Sequence, residues 1–363
     1  MSIAWCGGSQ CNAPPLVDGV FYGCGRVAVM EAESEVVARI LITGSSGFIG
    51  RHLRNELAGN GVRCRLLVRN ATSLADALVG DLLQSDSLPG ACSGIECVFH
   101  CAGYAHAFAS SDPDAHWRIN FEGTRNLVEA AGRAGTRRFV FLSSVKAMAE
   151  PGDACADEYW PGEPETSYGR AKRAAEESVL EIGSRYGMHV VNLRLAMVYG
   201  NGGRGNLERM ARGIAAGWFP PLPETANRRS LVHVSDVVDA MRLVAAKTAA
   251  KGKTYIVADP QAYSGREIYD AICVALRKPL PNWRIPANLL RFGGRVGDMA
   301  ETLVHKPMRF NSEIVGRLLD SSCYSPARIE RELGWRAKVS LNTGVEEMLA
   351  PDAHSQSAFR PVN

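Results

Sequence analysis

The chain has 363 residues, 46% of them hydrophobic and 22% charged, with a formal net charge of +3 at neutral pH. This is ordinary globular usage, long enough for one large or two small domains, and the charge is too small for a nucleic-acid surface. No uninterrupted apolar run approaches the roughly 20 residues of a spanning helix, so membrane attachment finds no support in the sequence.

Met1 to Glu35 carries Gly7-Gly8, Pro14-Pro15 and three cysteines without a steady period, and no basic stretch leads into an apolar core as in a secretory signal. Residues 1–38 are therefore expected to be a loosely packed extension. Ten cysteines in the whole chain form no C-x-x-C pair. Cys92, Cys97 and Cys101 read as small buried residues rather than metal ligands, so no metal is expected. Unpatterned thiols fit a reducing, cytoplasmic compartment.

Ile40 to Ile42 is a short apolar run of the kind that fills a buried parallel strand. Gly44, Gly47 and Gly50 follow, and Arg51 to Ala58 forms a helix stopped by Gly59-Asn60-Gly61. Glycines at a strand-to-helix turn let a pyrophosphate approach the N–H groups of the helix start. The G-x-x-G-x-x-G spacing is a variant of the dinucleotide fingerprint, and its strand–helix context marks a dinucleotide site.

Thr43-Gly44-x-x-Gly47-Phe48-Ile49-Gly50 resembles the nucleotide loop of the extended short-chain dehydrogenases/reductases, which include nucleotide-sugar epimerases, dehydratases and ketoreductases. The resemblance runs from about Arg39 to about Val345. It implies an α/β fold: a doubly wound parallel Rossmann sheet with a smaller α/β C-terminal substrate domain. Residues 39–200 and 230–259 would bind the cofactor, residues 201–229 and 260–350 the substrate, and residues 351–363 would form a tail. Gly44, Ser46, Gly47, Phe48, Ile49 and Gly50 are the expected cofactor loop.

Val62 to Val68 reads as the second strand, ending at Arg69. An acidic residue there binds the ribose 2′-hydroxyl of NAD, whereas an arginine accommodates the 2′-phosphate of NADP. Arg69 tilts the expectation to NADP, with NAD as the alternative. Val79-Gly80-Asp81-Leu82 resembles the family's adenine contact. Glu96 to Gly103 is the next strand, and the small Ala102 and Gly103 let a cofactor pass close to the backbone. His100, inside this apolar run, reads as a packed core histidine. The helix opening at Asp112-Pro113 carries Asn120. The family uses such an Asn near the nicotinamide, and a helix-bending residue bonded to a neighbouring strand is the other reading.

Arg138 to Ser144 is a strand ending in two hydroxyls, at the sheet edge that faces the ligand crevice in doubly wound folds. A proline-marked loop (Pro151, Pro161, Pro164) leads to Ser167-Tyr168-Gly169-Arg170-Ala171-Lys172 on a helix that runs to Ile182. Tyr168 and Lys172, four apart, share one helix face. Free tyrosine has a pKa of about 10, too high for a base at neutral pH, and a nearby ammonium lowers it. The resemblance assigns Tyr168 as acid/base, Lys172 as its tuner and ribose anchor, and Ser144 as the polarising hydroxyl, with Ser143 as runner-up. Lys146, two residues past Ser144, either touches substrate or is solvated.

Met188 to Leu195 and Thr254 to Val257 are further strands, separated by loops at Gly200 to Asn206 and Phe219 to Pro223. Arg228 to Asp236 resembles the segment that re-enters the sheet, and Leu333-Gly334-Trp335 a recurring C-terminal signature. Asn206 and Arg229 resemble positions that hold a nucleotide diphosphate.

His100 to His106 and Ser143 to Lys146 look most like bacterial nucleotide-sugar proteins acting at C4. One branch reduces UDP-4-keto-6-deoxy-N-acetylhexosamines, as in UDP-N-acetylquinovosamine formation for cell-surface polysaccharide. The other is the UDP-glucose 4-epimerase type with tightly held NAD. Arg69, and Met197 where galactose epimerases usually carry Asn, favour the reductase. A non-catalytic NADP sensor is a third class, disfavoured because Ser144, Tyr168 and Lys172 are all present. The family often forms homodimers through two helices, one of them the Tyr168 helix.

Overall fold

The computed structural model describes residues 39–74, 76–104, 114–203, 205–304 and 310–350. The expected extension and tail, and the start of the helix at Asp112-Pro113, lie outside them.

The strands are β1 Ile40–Thr43, β2 Cys64–Val68, β3 Ala77–Val79, β4 Cys97–His100, β5 Arg138–Ser144, β6 Cys155–Ala156, β7 His189–Leu195, β8 Met197–Tyr199, β9 Arg229–His233, β10 Lys253–Val257, β11 Ala262–Tyr263 and β12 Cys323–Tyr324. The helices are α1 Phe48–Gly59, α2 Pro89–Cys92, α3 Gly123–Arg133, α4 Ser167–Arg185, α5 Asn206–Ala215, α6 Val234–Ala246, α7 Gly265–Ala275, α8 Ala287–Val304, α9 Ser312–Leu319, α10 Ala327–Leu333 and α11 Leu341–Leu349. A π-helical turn, Trp117–Glu122, leads directly into α3.

Seven strands form one parallel sheet in the order β10-β7-β5-β4-β1-β2-β3. The chain order reverses between β1 and β4, the switch point where doubly wound sheets open a crevice. Both faces are covered, which is why the strands are nearly continuous apolar runs. Alternate residues feed two cores. Ile42, Leu66, Phe99, Val140 and Leu193 pack on one face beneath α1 and α6. Leu41, Leu67, Val98, Phe139 and Phe141 pack on the other beneath α3 and α4. Each such side chain contributes about 1.5–3 kcal/mol by burial.

A separate core gathers Tyr199, Leu207, Met210, Leu231, Tyr263, Ile268, Ile272, Leu319 and Val345. It lies among α5, α7, α9 and α11 and a three-stranded sheet, β11-β9-β8. β9 differs from expectation, because it joins this small sheet and β10 is what re-enters the large one. Strand alternation explains the split role: Leu231 faces the separate core, Val232 the large one. At the end of α10, Gly334 takes a left-handed φ of +72° that stops the helix, and Trp335 is buried in the large core.

The cysteine expectation holds at Cys92 and Cys97, which are buried thiols. It fails at Cys155 and Cys323, which form a disulfide across the β6–β12 pair. The two lie 168 residues apart, so no local spacing announces the bond.

Candidate active site

At the β1–α1 turn, Gly44 has φ +66°, a conformation L side chains rarely adopt. A Cβ on Gly44 would sit 2.7 Å from the Ala102 backbone nitrogen, and one on Gly50 only 2.2 Å from the Gly44 carbonyl oxygen. The glycines thus bring the α1 N-terminus against the end of β4. Thr43 Oγ1 ties the two strand ends together: it bonds His100 Nδ1 at 2.6 Å and accepts from Ala102 N at 3.2 Å. His100 Nε2 lies 3.0 Å from Thr124 Oγ1, and burial holds the ring at a pKa of about 3. It is a neutral core histidine, as read from the sequence.

Ser45 Oγ, buried at this turn, is without a hydrogen-bond partner. A buried orphan hydroxyl beside a glycine-opened helix N-terminus is the donor set that a pyrophosphate satisfies. Ser46, Phe48 and Ile49 complete the turn and the first residues of α1, with Ser46 exposed. The residues therefore fit a dinucleotide. Arg69 is exposed one residue past β2, at the same carboxyl edge. Asp81 lies beyond β3 and accepts from Leu83 N at 2.9 Å, while the Leu82 carbonyl accepts from Asn126 Nδ2 at 2.9 Å.

Asn120, buried in the π-helical turn, accepts from Tyr104 N at 2.8 Å and donates to Tyr104 O at 2.9 Å. It fixes the chain just past Gly103, whose added Cβ would meet Asn120 Oδ1 at 3.2 Å and Lys172 Nζ at 3.4 Å. Asn120 thus bonds the segment just past β4, and a side chain at Gly103 would crowd Asn120.

The two serines at the end of β5 face opposite ways. Ser143 Oγ is buried and donates to Glu176 Oε1 at 2.5 Å. Ser144 lies beside the Tyr168 phenol and favours its ionised form, and its Oγ accepts from Lys146 N at 3.2 Å. Helix α4 begins close to this turn, because a Cβ on Gly169 would fall 2.1 Å from the Lys146 carbonyl oxygen. Thr166 caps α4 by accepting from Gly169 N at 3.0 Å. The His116 ring stands edge-on to Tyr168, 5.5 Å between centroids. His116 was not singled out in the sequence, where it has no spacing relation to the Tyr–Lys pair.

Burial raises the Tyr168 pKa, and the Ser144 hydrogen bond opposes it. This corrects the expectation that Lys172 lowers it. The Lys172 ammonium instead donates to Leu142 O at 2.9 Å and lies 4.6 Å from the centre of the Phe141 ring. Burial pushes Lys172 down to about 8, and Glu176 opposes that fall. Glu176 is itself clamped by Arg194, with contacts of 2.7, 3.0 and 3.1 Å. The pair is buried, at 7% and 3% side-chain exposure. Glu176 follows Lys172 by one helical turn, a spacing that signals the contact.

A second polar group lies on the separate core. Asn206, Arg229 and Arg317 line one cleft with Met197, Leu207 and Leu222. Arg229 Nη1 donates to Asp320 O at 2.8 Å. Burial lowers the Arg229 pKa, with Tyr324, Asp320 and Glu150 opposing and Arg317 adding to the fall. Two guanidinium groups in one cleft are suited to a polyanion. Arg317 was missed because Glu313, one turn before it on α9, makes it read as an ordinary surface pair; the two are ion-paired. Lys146, with its side chain 44% exposed to solvent, pairs with Glu150. Among the described residues, no helix is long and apolar enough to cross a membrane.

Residues 40–258 match the model of the NAD dependent epimerase/dehydratase family. The UDP-glucose 4-epimerase of Vibrio cholerae is 29% identical over 324 residues, covering 85% of this chain and 93% of its own. A 3-beta-hydroxysteroid dehydrogenase of Mycolicibacterium neoaurum is 26% identical, covering 86% and 91%. The crystal structure of gox2253 superimposes with a TM-score of 0.70 at 25% identity, over 86% of this chain and 97% of that one. The match spans the nucleotide loop, the Ser144 strand, the Tyr168 helix and β10, and this chain belongs to the NAD dependent epimerase/dehydratase family of NAD(P)-dependent enzymes.

Proposed function

We propose that this enzyme acts at C4 of a nucleotide sugar, and that it reduces a UDP-4-keto-6-deoxy-N-acetylhexosamine, the reaction type that forms UDP-N-acetylquinovosamine. The observations that carry the direction are Arg69, which stands at the carboxyl edge of β2 where an NAD enzyme would place a carboxylate, and Met197, which lines the cleft where galactose epimerases usually carry Asn. The protonated Tyr168 phenol can give the proton that reduction of a C4 ketone consumes.

In this reading Gly44, Ser46, Gly47, Phe48, Ile49, Gly50, Ala102 and Gly103 hold the dinucleotide, with Asp81 and Leu82 at its adenine end and Asn120 behind Gly103. Arg69 selects the 2′-phosphate of NADP. When bound, the nicotinamide supplies the hydride. Tyr168 gives its proton to the C4 oxygen, and Ser144 donates to that oxygen and orients it. Lys172 anchors the ribose; with a pKa of about 8 it remains mostly charged at neutral pH. Asn206, Arg229 and Arg317 grip the diphosphate, and Lys146, whose backbone N–H bonds Ser144 Oγ, touches substrate beside it. The separate core supports a substrate lobe built from most of residues 201–229 and 260–350, with Tyr199 and Leu231 joining it and Tyr324, Ile329 and Trp335 packing in the large core instead.

Met197 lines the cleft, so the departure from the galactose-epimerase pattern falls on the substrate wall. The second reading, a 4-epimerase with retained NAD, is favoured by the Vibrio cholerae relative. Adding UDP-hexose to the purified protein without cofactor separates the two. The reductase reading expects no turnover until NADPH and a 4-keto sugar are supplied, and cofactor-free interconversion of UDP-hexoses defeats it.

A further inference from the structure

An ordinary surface helix turns its large apolar residues inward. Helix α8 buries Leu290 in the separate core but leaves most of its large apolar residues outside. The rest of its inner face is glycine: a Cβ on Gly294 would meet Val315 Cγ2 at 3.0 Å, and one on Gly297 would meet Phe310 O at 2.0 Å. These glycines let α8 lie close on the Phe310–Val315 segment, the start of α9. Its outer face carries Leu289, Phe292, Val296 and Met299, which are 58%, 64%, 49% and 66% exposed. With 3.6 residues per turn, these four fall within an arc of about 80°. Arg295, exposed, runs along one edge of that stripe, and the exposed Arg291 beyond it is ion-paired with Asp320 at 3.6 Å. The preceding loop adds Trp283 and Leu280, 61% and 49% exposed, together with the exposed Arg284. The same loop is tied beside α5 by Lys278 Nζ, which donates to the Ile214 and Ala215 carbonyls at 2.8 Å. Trp218, just past α5, is 69% exposed.

We propose that the outer face of α8 and its Trp283 loop dock the enzyme on an anionic lipid surface, the apolar stripe entering the headgroup boundary and the arginines meeting lipid phosphates. Three features fit that occupant. The stripe has the composition of an interfacial helix, with Phe, Leu, Met and Trp beside Arg and no acidic residue within the stripe. The cationic edge complements a negative surface. A second copy fits worse, because an antiparallel isologous contact would set the Arg295 edge against itself. The docked helix packs on α9, whose Arg317 and Leu318 line the substrate cleft, so the cleft and the lipid face share one helix pair. No continuous apolar run is needed for such a face, which is why the sequence does not display it. The inference stands independently of the reaction proposed above.

The test is co-sedimentation of the full chain with phosphatidylcholine vesicles, with and without phosphatidylglycerol, at low and high salt. The double variant Phe292→Glu/Met299→Glu and the variant Arg284→Glu/Arg295→Glu are run beside it, each checked by thermal melting and dehydrogenase assay. Expected are binding to anionic vesicles that weakens with salt, and a loss of about tenfold or more in partitioning for each variant, with melting and turnover unchanged. Absence of binding to anionic vesicles, or binding that neither variant changes, overturns the proposal. So does a concentration-dependent dimer in light scattering that Phe292→Glu/Met299→Glu abolishes while vesicle binding persists.

Discussion

The end of β5 and the Arg229 cleft are built in opposite ways. Behind Ser144 and Tyr168 the groups come from β5, α4 and β7 and are buried and cross-bonded. Ser143 is held by Glu176, Glu176 by Arg194, and Lys172 by the Leu142 carbonyl. Around Arg229 the groups come from α5, β9 and α9, are partly exposed, and rest on backbone carbonyls and like-charged neighbours. A rigid chemical centre with an adaptable grip beside it is how a family can keep one reaction type and vary what it holds.

The sharpest way to break this comparison is Tyr168→Phe. Turnover should fall roughly 10²–10⁴-fold while cofactor binding, followed by nicotinamide fluorescence, is retained. Near-normal turnover would show that the phenol is not the proton donor. The pH profile carries a sign as well. Because burial raises the Tyr168 pKa, reductive kcat/KM should stay flat through neutral pH and fall only in the alkaline range, where the phenol loses the proton it must give.

Next in size is Arg194→Met, which strands the Glu176 carboxylate in the interior. A loss of about 3–5 kcal/mol in urea unfolding is expected. A change below about 1 kcal/mol, the worth of an exposed pair, would mean that the buried clamp is not structural.

Arg229→Ala and Arg317→Ala probe the other region. Each removes charged hydrogen bonds worth about 1.5–3 kcal/mol, so KM for the nucleotide sugar should rise about tenfold to a hundredfold with kcat less affected. If Arg317→Ala leaves KM unchanged, the cleft is not the diphosphate grip.

Acid sensitivity is expected through His100, whose folded pKa of about 3 lies below the ordinary 6.5. Between those values the unfolded chain binds a proton that the folded chain refuses. Stability therefore falls as pH drops through this window, by up to about 1.4 kcal/mol per unit. His189 and His233 are shifted in the same direction. Urea midpoints that do not move between neutral pH and pH of about 5 would contradict the neutral core reading of His100.

The same contrast explains what was legible in the sequence. The glycine loop, the β5 strand and the Tyr168–Lys172 spacing are local, so periodicity and turn chemistry expose them. Arg138 to Ser144 was read with its observed ends. Ser143 and Ser144 could not be separated from sequence, because which hydroxyl faces α4's phenol and which faces Glu176 is a matter of packing. Arg317, the Cys155–Cys323 bond and the Glu176–Arg194 clamp depend on segments distant in the chain, and no spacing rule joins them. Reducing the disulfide should nonetheless be felt, because closing so long a loop is worth about 2–4 kcal/mol.

The central claim is most directly tested by supplying NADPH deuterated at its transferable position together with a UDP-4-keto-6-deoxy-N-acetylhexosamine, and reading the product by mass and proton spectra. The account predicts one deuterium at C4 of the sugar, in a product the Tyr168→Phe protein scarcely forms. A product without deuterium at C4, or equal product from the phenylalanine variant, would contradict it.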